Sequence, residues 1–217
     1  MSDTGGNFIC YTNGIGIYNS NHELIENGDS LNCCNDIFPD YYDYGYAIPQ
    51  GIINFTFFNK NQTWFIHKTL DFDVYPAASF KLLLTKIKHS PLKVVKKNQL
   101  ILKDTLYALA TASTRHANGR DWWLIQQKYK SNKYFIYNIS ENSINSDSTY
   151  FDNWINSIIG GQRLFTPDGL KYIETGAYDT SAFRYLIRIF DFDRCTGTLS
   201  NPIHFEFVDS LTASTGA

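Results

Sequence analysis

Residues 118–125 read Asn-Gly-Arg-Asp-Trp-Trp-Leu-Ile, a tight-turn dipeptide that runs almost at once into an aromatic and branched stretch. Asn-Gly supplies the positive φ that hairpin turns demand. Aromatic and β-branched runs of about four to eight residues fit a half-buried pleated surface. The arrangement recurs three more times. Residues 3–6 precede Asn7-Phe8-Ile9-Cys10-Tyr11, residues 59–61 precede Thr63-Trp64-Phe65-Ile66, and Pro167-Asp168-Gly169 precede Lys171-Tyr172-Ile173. With Gly6, Asn61, Gly119 and Gly169 as anchors, the spacings are 55, 58 and 50 residues. A second strand-like run follows each first one, at residues 15–18, 80–87, 134–137 and 185–190, and Asn19, Asn138 and Asp191 stand at the ends of three of them. Few segments read as helix; residues 148–159 are the best candidate.

A unit of about 50 residues holding three or four short strands cannot bury its own face alone, and radial stacking of such units gives a β-propeller. A β-sandwich also places strands between turn signals, but the repeat spacing favours the propeller. The expectation is an all-β, β-propeller-like domain over residues 1–217, with about four blades of antiparallel strands in an incomplete arc. The approximate units are 1–50, 51–104, 105–158 and 159–217.

Composition narrows the function classes. Of 217 residues 43% are apolar and 16% aromatic, while only 18% are charged, which excludes a disordered chain. The formal net charge of −2 disfavours a nucleic-acid binder held by phosphate contacts. No apolar run approaches the roughly 18 residues of a membrane span. Met1 is followed by Ser-Asp-Thr-Gly-Gly, with neither a basic nor an apolar leader region.

Several residues invite a chemical reading. Arg115, His116, Asn118 and Asp121 form the densest polar cluster beside Trp122 and Trp123. His116 and Asp121 read as an acid–base pair or, with Arg115 and Trp122, as a ligand rim. Asp-Phe-Asp occurs at residues 71–73 and 191–193, each able to present two carboxylates on one strand face. No loop of calcium-binding spacing follows either, so Asp191 and Asp193 are read as turn residues, together with Asn118, Gly119, Asp121, Asp168 and Gly169. The five histidines lie too far apart in sequence for zinc spacing, and Cys33 and Cys34 are adjacent, with Cys10 and Cys195 remote. No metal or cofactor is therefore expected, and no local signature marks a catalytic Cys–His arrangement. Residues 81–103 carry seven lysines and no carboxylate. They read either as a patch for an acidic glycan or protein, or as lysines guarding a sheet edge. Tyr41, Tyr42, Tyr44 and Tyr46 lie between Pro39 and Pro49 and are read as ligand contacts, with packing between blades as the alternative.

Residues 114–125, TRHANGRDWWLI, resemble the blade signature of a family of large secreted Bacteroidetes proteins with a WD-repeat-like propeller, often ending in a type IX secretion sorting domain. Residues 2–32, 164–169 (LFTPDG) and 189–202 (IFDFDRCTGTLSNP) match the same family in the same order. Family members carry a signal peptide, further blades and usually the sorting domain, and Cys33-Cys34 stands here where Pro-Gly is usual. The resemblance implies a partial propeller and gives no catalytic residue. It also implies a structural role for the His116 cluster, like the His–Asp turn contacts of WD repeats. The resulting expectation is a non-enzymatic, secreted or cell-surface binding and scaffolding module, whose partner is a protein or glycan. Nucleic acid and membrane are not expected partners, whereas self-association through open strand edges is. The alternative is a carbohydrate-active hydrolase using carboxylates on the propeller face.

Overall fold

The computed structural model describes residues 1–3, 5–32, 45, 50–69, 78–152, 161–179 and 184–208. The chain is all-β. Its only helical piece among the described residues is one 3-10 turn, Phe58–Lys60. Among the described residues thirteen strands form three sheets, β1-β2, β3 to β9 and β10 to β13, and within each sheet the strands lie in sequence order. The chain divides into two compact units, Met1–Ala108 and Leu109–Ala217.

In the first unit β1 (Cys10–Thr12) and β2 (Ile17–Asn19) form a hairpin, and β3 (Ile52–Phe57), β4 (Gln62–Lys68), β5 (Ala78–His89) and β6 (Leu92–Arg115) follow as a meander. Neither Gly nor Pro interrupts the 24 residues of β6, which carries the chain into the second unit. Its pairing with β5 slips at four points, each a bulge that bends the strand and raises its twist. Cys10 and Ile17 of the hairpin, with Ile25 and Leu31 after it, bury against Phe65, Ile87 and Val94 to make one core.

In the second unit β7 (Trp122–Lys128), β8 (Lys133–Ile139) and β9 (Ile144–Tyr150) continue in order from β6. A separate four-stranded meander follows, β10 (Arg163–Phe165), β11 (Lys171–Asp179), β12 (Arg184–Asp193) and β13 (Thr198–Val208). Trp123, Ile125, Tyr134 and Ile136 pack against Tyr172, Phe190, Phe192 and Leu199. Four-stranded antiparallel meanders are the sheets from which propeller blades are made, and no sheet closes on itself among the described residues.

The four anchor turns share one backbone geometry. Gly6, Asn61, Gly119 and Gly169 all have positive φ, between 54° and 83°. Each donates its amide to the carbonyl three residues earlier, on Asp3, Phe58, His116 and Thr166, at 2.7–3.1 Å. Every anchor thus closes a β-turn in the left-handed conformation, the geometry that starts a hairpin with a bulge. The strand pairs after the anchors are β1·β2, β4·β5, β7·β8 and β11·β12, each antiparallel.

The helix expected over residues 148–159 is not there in its described part. Ser148, Thr149 and Tyr150 belong to β9 and face Phe135, Tyr134 and Lys133 of β8. The ladder to β8 satisfies their backbone groups, and that outweighs a weak local helical pattern.

Candidate functional site

The second unit gathers three of the sequence stretches singled out above around Arg194, at the β12–β13 turn. Arg194 Nε donates to Arg115 O at 2.9 Å and Nη1 to Asp168 O at 2.8 Å. Its own carbonyl accepts from Ala117 N at 3.0 Å and from Trp123 Nε1 at 2.8 Å. One arginine therefore ties the β6–β7 turn, the β10–β11 turn and the β12–β13 turn together. The contact is close. A Cβ on Gly169 would stand 2.4 Å from Thr114 Oγ1 and 2.9 Å from Arg194 Cδ, and one on Gly197 would stand 2.6 Å from Trp123 Cη2.

The polar residues of the His116 cluster serve the same framework. His116 Nδ1 accepts the Asn118 amide at 3.0 Å, and the ring stacks on Trp123 with centroids 5.2 Å apart. Asn118 Oδ1 accepts the amides of Arg120 and Asp121, and its Nδ2 donates to Asp121 Oδ2 at 2.7 Å. His116 and Asp121 are thus linked through Asn118 rather than side chain to side chain. Arg115 lies 3.7 Å over the Trp122 ring and donates to Gly119 O and Arg120 O.

The aspartates are engaged likewise. Thr166 Oγ1 and the Leu170 amide donate to Asp168, in that order holding its carboxyl below the ordinary value. Asp191 pairs with Lys171 and accepts from Asn201 Nδ2, and it is lowered by them in the same order. Asp193 caps the turn by accepting the Cys195 amide at 2.7 Å, the main cause of its lowered value. Asp191 and Asp193 therefore each have partners of their own. Among the described residues no three His, Cys, Asp or Glu side chains come together as metal ligands would. Tyr41, Tyr42, Tyr44, Tyr46, Asp71, Asp73, Cys33 and Cys34 lie outside the described residues. Cys10 is buried, which pushes its thiol up to about 11 and leaves it protonated and inert at neutral pH.

The glycine latch is testable against an internal control. Gly119 and Gly169 have the same φ, 71° and 72°, but a Cβ on Gly119 meets nothing within 4 Å. Gly119→Ala is expected to cost about 1 kcal/mol for the left-handed backbone alone. Gly169→Ala adds the collision with Thr114 and Arg194 and is expected to cost about 2–4 kcal/mol, read from urea midpoints. Equal costs would show that the turns are not in close contact.

Two features of this unit went unread in the sequence. The first is a buried row of charge. Arg163, Glu174 and Arg188 stand directly opposite one another on β10, β11 and β12. Glu174 lies 3.6 Å from Arg163 Nε and 3.2 Å from Arg188 Nε, and it accepts from Tyr134 and Tyr172 at 3.1 and 3.2 Å. All five side chains are fully buried. Burial first, and then the Glu174 charge, pushes both phenols well above 10, so they remain donors.

The second is an open cleft of about 310 Å³ between β9 and the β12–β13 turn. Asn138 and Asn145, Ile136 and Asp147, and Tyr134 and Thr149 are register pairs on one face of β8 and β9. Asn138, Ile136, Asn145, Asp147 and Thr149 line the cleft together with Trp123 and residues 196–199. The lining is mostly amide, hydroxyl and aromatic. Asp147 is its one carboxylate among the described residues, and it accepts the Ser148 amide at 2.7 Å.

The chain matches no protein-family model and no curated protein. Among solved structures it is similar to the Dos1 propeller, at 12% identity and a TM-score of 0.42, over 94% of this chain and 46% of that one. It is also similar to a chain in the complex structure of the fission yeast SREBP–SCAP binding domains, at 8% identity and a TM-score of 0.43, over 96% of this chain and 60% of that one. The chain thus spans less than two thirds of either. Both likenesses concern backbone shape alone.

Proposed function

We propose that the chain is a non-enzymatic binding and scaffolding module of a secreted or cell-surface propeller protein, of the WD-repeat-like kind that its motifs resemble. The observation that carries this reading is the division of labour in the second unit. Among the described residues, the titratable side chains that looked chemical in the sequence are spent on turn amides, backbone carbonyls and neighbouring side chains. The cleft beside them presents amides, hydroxyls and an indole. Such a lining orients a neutral polar ligand, a glycan or peptide segment, by hydrogen bonds, and Asp147 is its one carboxylate among the described residues, where breaking a glycosidic bond takes two.

The test is to screen the purified chain against glycan and peptide arrays, and then to repeat the best hit with Asn145→Ala/Asp147→Ala. Both residues are exposed on β9, so the variant should melt within about 2 °C of wild type while losing about tenfold or more in affinity. Unchanged affinity would remove the cleft from the account. Release of a reducing sugar from an array glycan would replace binding by hydrolysis.

A further inference from the structure

The lysine-rich hairpin β5–β6 has a register that its sequence does not reveal. Lys86 faces Lys96, and Lys88 faces Lys93, as direct cross-strand pairs. Lys86 and Lys88 are two apart on β5 and share a face, so the four make a two-by-two block about 5 Å across the strands and about 7 Å along them. Like charges placed directly opposite destabilise a sheet, and this hairpin has three such pairs, two of them side by side and the third, Lys81 with Lys103, alone at its far end. Guarding a sheet edge does not explain Lys86 and Lys88, because β5 lies between β4 and β6.

The surroundings sharpen the block. On β4 the neighbours in register are Gln62 beside Lys88 and Trp64 beside Lys86. The Lys86 ammonium sits 3.5 Å over the Trp64 ring, which is only 2% exposed beneath it. That contact fixes the Lys86 ammonium over Trp64, on the β4 side of its strand. Lys93 is shared with Glu26 at 3.4 Å, and Lys97, next along β6, is taken by Asp29 at 3.1 Å. Among the described residues no carboxylate forms an ion pair with Lys86, Lys88 or Lys96.

We propose that this block is a binding site for an anionic polysaccharide, with Lys86, Lys88 and Lys96 each taking a sulfate or carboxylate group of one extended glycan chain. The site lies in the first unit and does not depend on the cleft of the second. Three features favour this ligand class. The cations are all lysines, point charges suited to dispersed anionic groups rather than to forked, bidentate recognition. The one aromatic ring at the block is covered by Lys86, so it cannot stack a nucleic-acid base as single-strand binders require. The block has the footprint of a few sugar units, far below the roughly 800 Å² per partner of a stable protein interface. A bound anion also cancels the lysine–lysine repulsion, so part of the cost held in the free sheet returns on binding.

The experiment titrates the full chain with a sulfated heparin oligosaccharide, a polyuronate of equal length and a single-stranded DNA of equal length, across a salt series from about 50 mM. Binding of either glycan is expected to be tighter than that of DNA, and the glycan that binds identifies sulfate or carboxylate as the group recognised. Lys86→Gln/Lys96→Gln should weaken it about tenfold and lower the salt slope by roughly one to two. The same variant should melt at or above the wild-type temperature without ligand, because a repulsive pair is gone. Lys81→Gln/Lys103→Gln removes an equal charge from the far end of the hairpin and should change affinity by less than about twofold. The proposal is overturned by no glycan binding at the lowest salt, by DNA binding as tightly, or by equal losses in the two double variants.

Discussion

Replacing Glu174 by alanine is expected to cost about 3–5 kcal/mol of folding stability, the largest effect of any single substitution considered for this chain. The carboxylate stands between two guanidinium groups, 3.6 Å from Arg163 and 3.2 Å from Arg188, with a tyrosine hydroxyl on each oxygen. Removing it leaves two like charges in a fully buried row, and the hydroxyls of Tyr134 and Tyr172 lose their acceptor. The desolvation already spent on the arginines is then no longer offset by the ion pairs. The companion variant separates charge from packing. Arg163→Met/Glu174→Leu/Arg188→Met removes the whole row at similar volume and is expected to recover most of the loss, because a buried ion network is often no more stabilising than a well-packed apolar one. Urea midpoints of the two variants decide the matter. A loss below about 1 kcal/mol for Glu174→Ala would mean that water reaches the row.

The second large effect is acid destabilisation of the first unit through His67. Its ring is fully buried, with Nδ1 2.6 Å from Asn32 Oδ1 and Nε2 2.9 Å from Thr85 Oγ1. Asn32 in turn donates to Gly14 O, and the Asn98 amide donates to Thr85, so the imidazole bridges the segment after β2 to the sheet. Burial drives its pKa down to about 3 from an ordinary 6.5. The folded state therefore keeps His67 neutral where the unfolded chain binds a proton, and stability falls as pH drops below about 6.5, levelling off only near 3. At about 1.4 kcal/mol per pH unit, roughly 2 kcal/mol should be lost between pH 7.5 and 5.0. His89 is lowered by burial as well and adds in the same direction. The lowered aspartates, among them Asp3, Asp29 and Asp168, act at lower pH and leave this window to the histidines. His67→Gln should reduce the slope to the His89 contribution, whatever it costs at neutral pH. A wild-type midpoint flat from pH 7.5 to 5.0 would contradict the buried neutral ring.

The strand pairs were legible in the sequence because their signals are local. Asn118-Gly119 and Pro167-Asp168-Gly169 announce a positive φ, and aromatic runs such as Trp122 to Ile125 announce the strand behind it. What pairing decides was not legible. Arg163, Glu174 and Arg188 each read as an ordinary polar residue on an alternating strand, and only the register of β10, β11 and β12 sets them side by side. The Lys86–Lys96 pair is hidden in the same way, behind bulges that no local pattern predicts. His67 gives no signal because its partners, Asn32 and Thr85, are 35 and 18 residues away and neutral. The His116 cluster stood out in the sequence, but its use could not be read there. The hub that binds it, Arg194, comes from a turn 79 residues further on than Arg115.

The proposed function assigns the fold to these conspicuous polar residues and the ligand to the neighbouring cleft. Its most direct test is the affinity of the array-selected ligand for Arg194→Ala, set beside that for the Asn145→Ala/Asp147→Ala variant, with the melting temperature of each. Arg194→Ala should melt about 5 °C or more below wild type, having lost two charged hydrogen bonds to carbonyls, yet bind within about twofold below its transition. The cleft variant should do the reverse. Arg194→Ala that melts like wild type and no longer binds would make the polar cluster itself the working site and contradict the account.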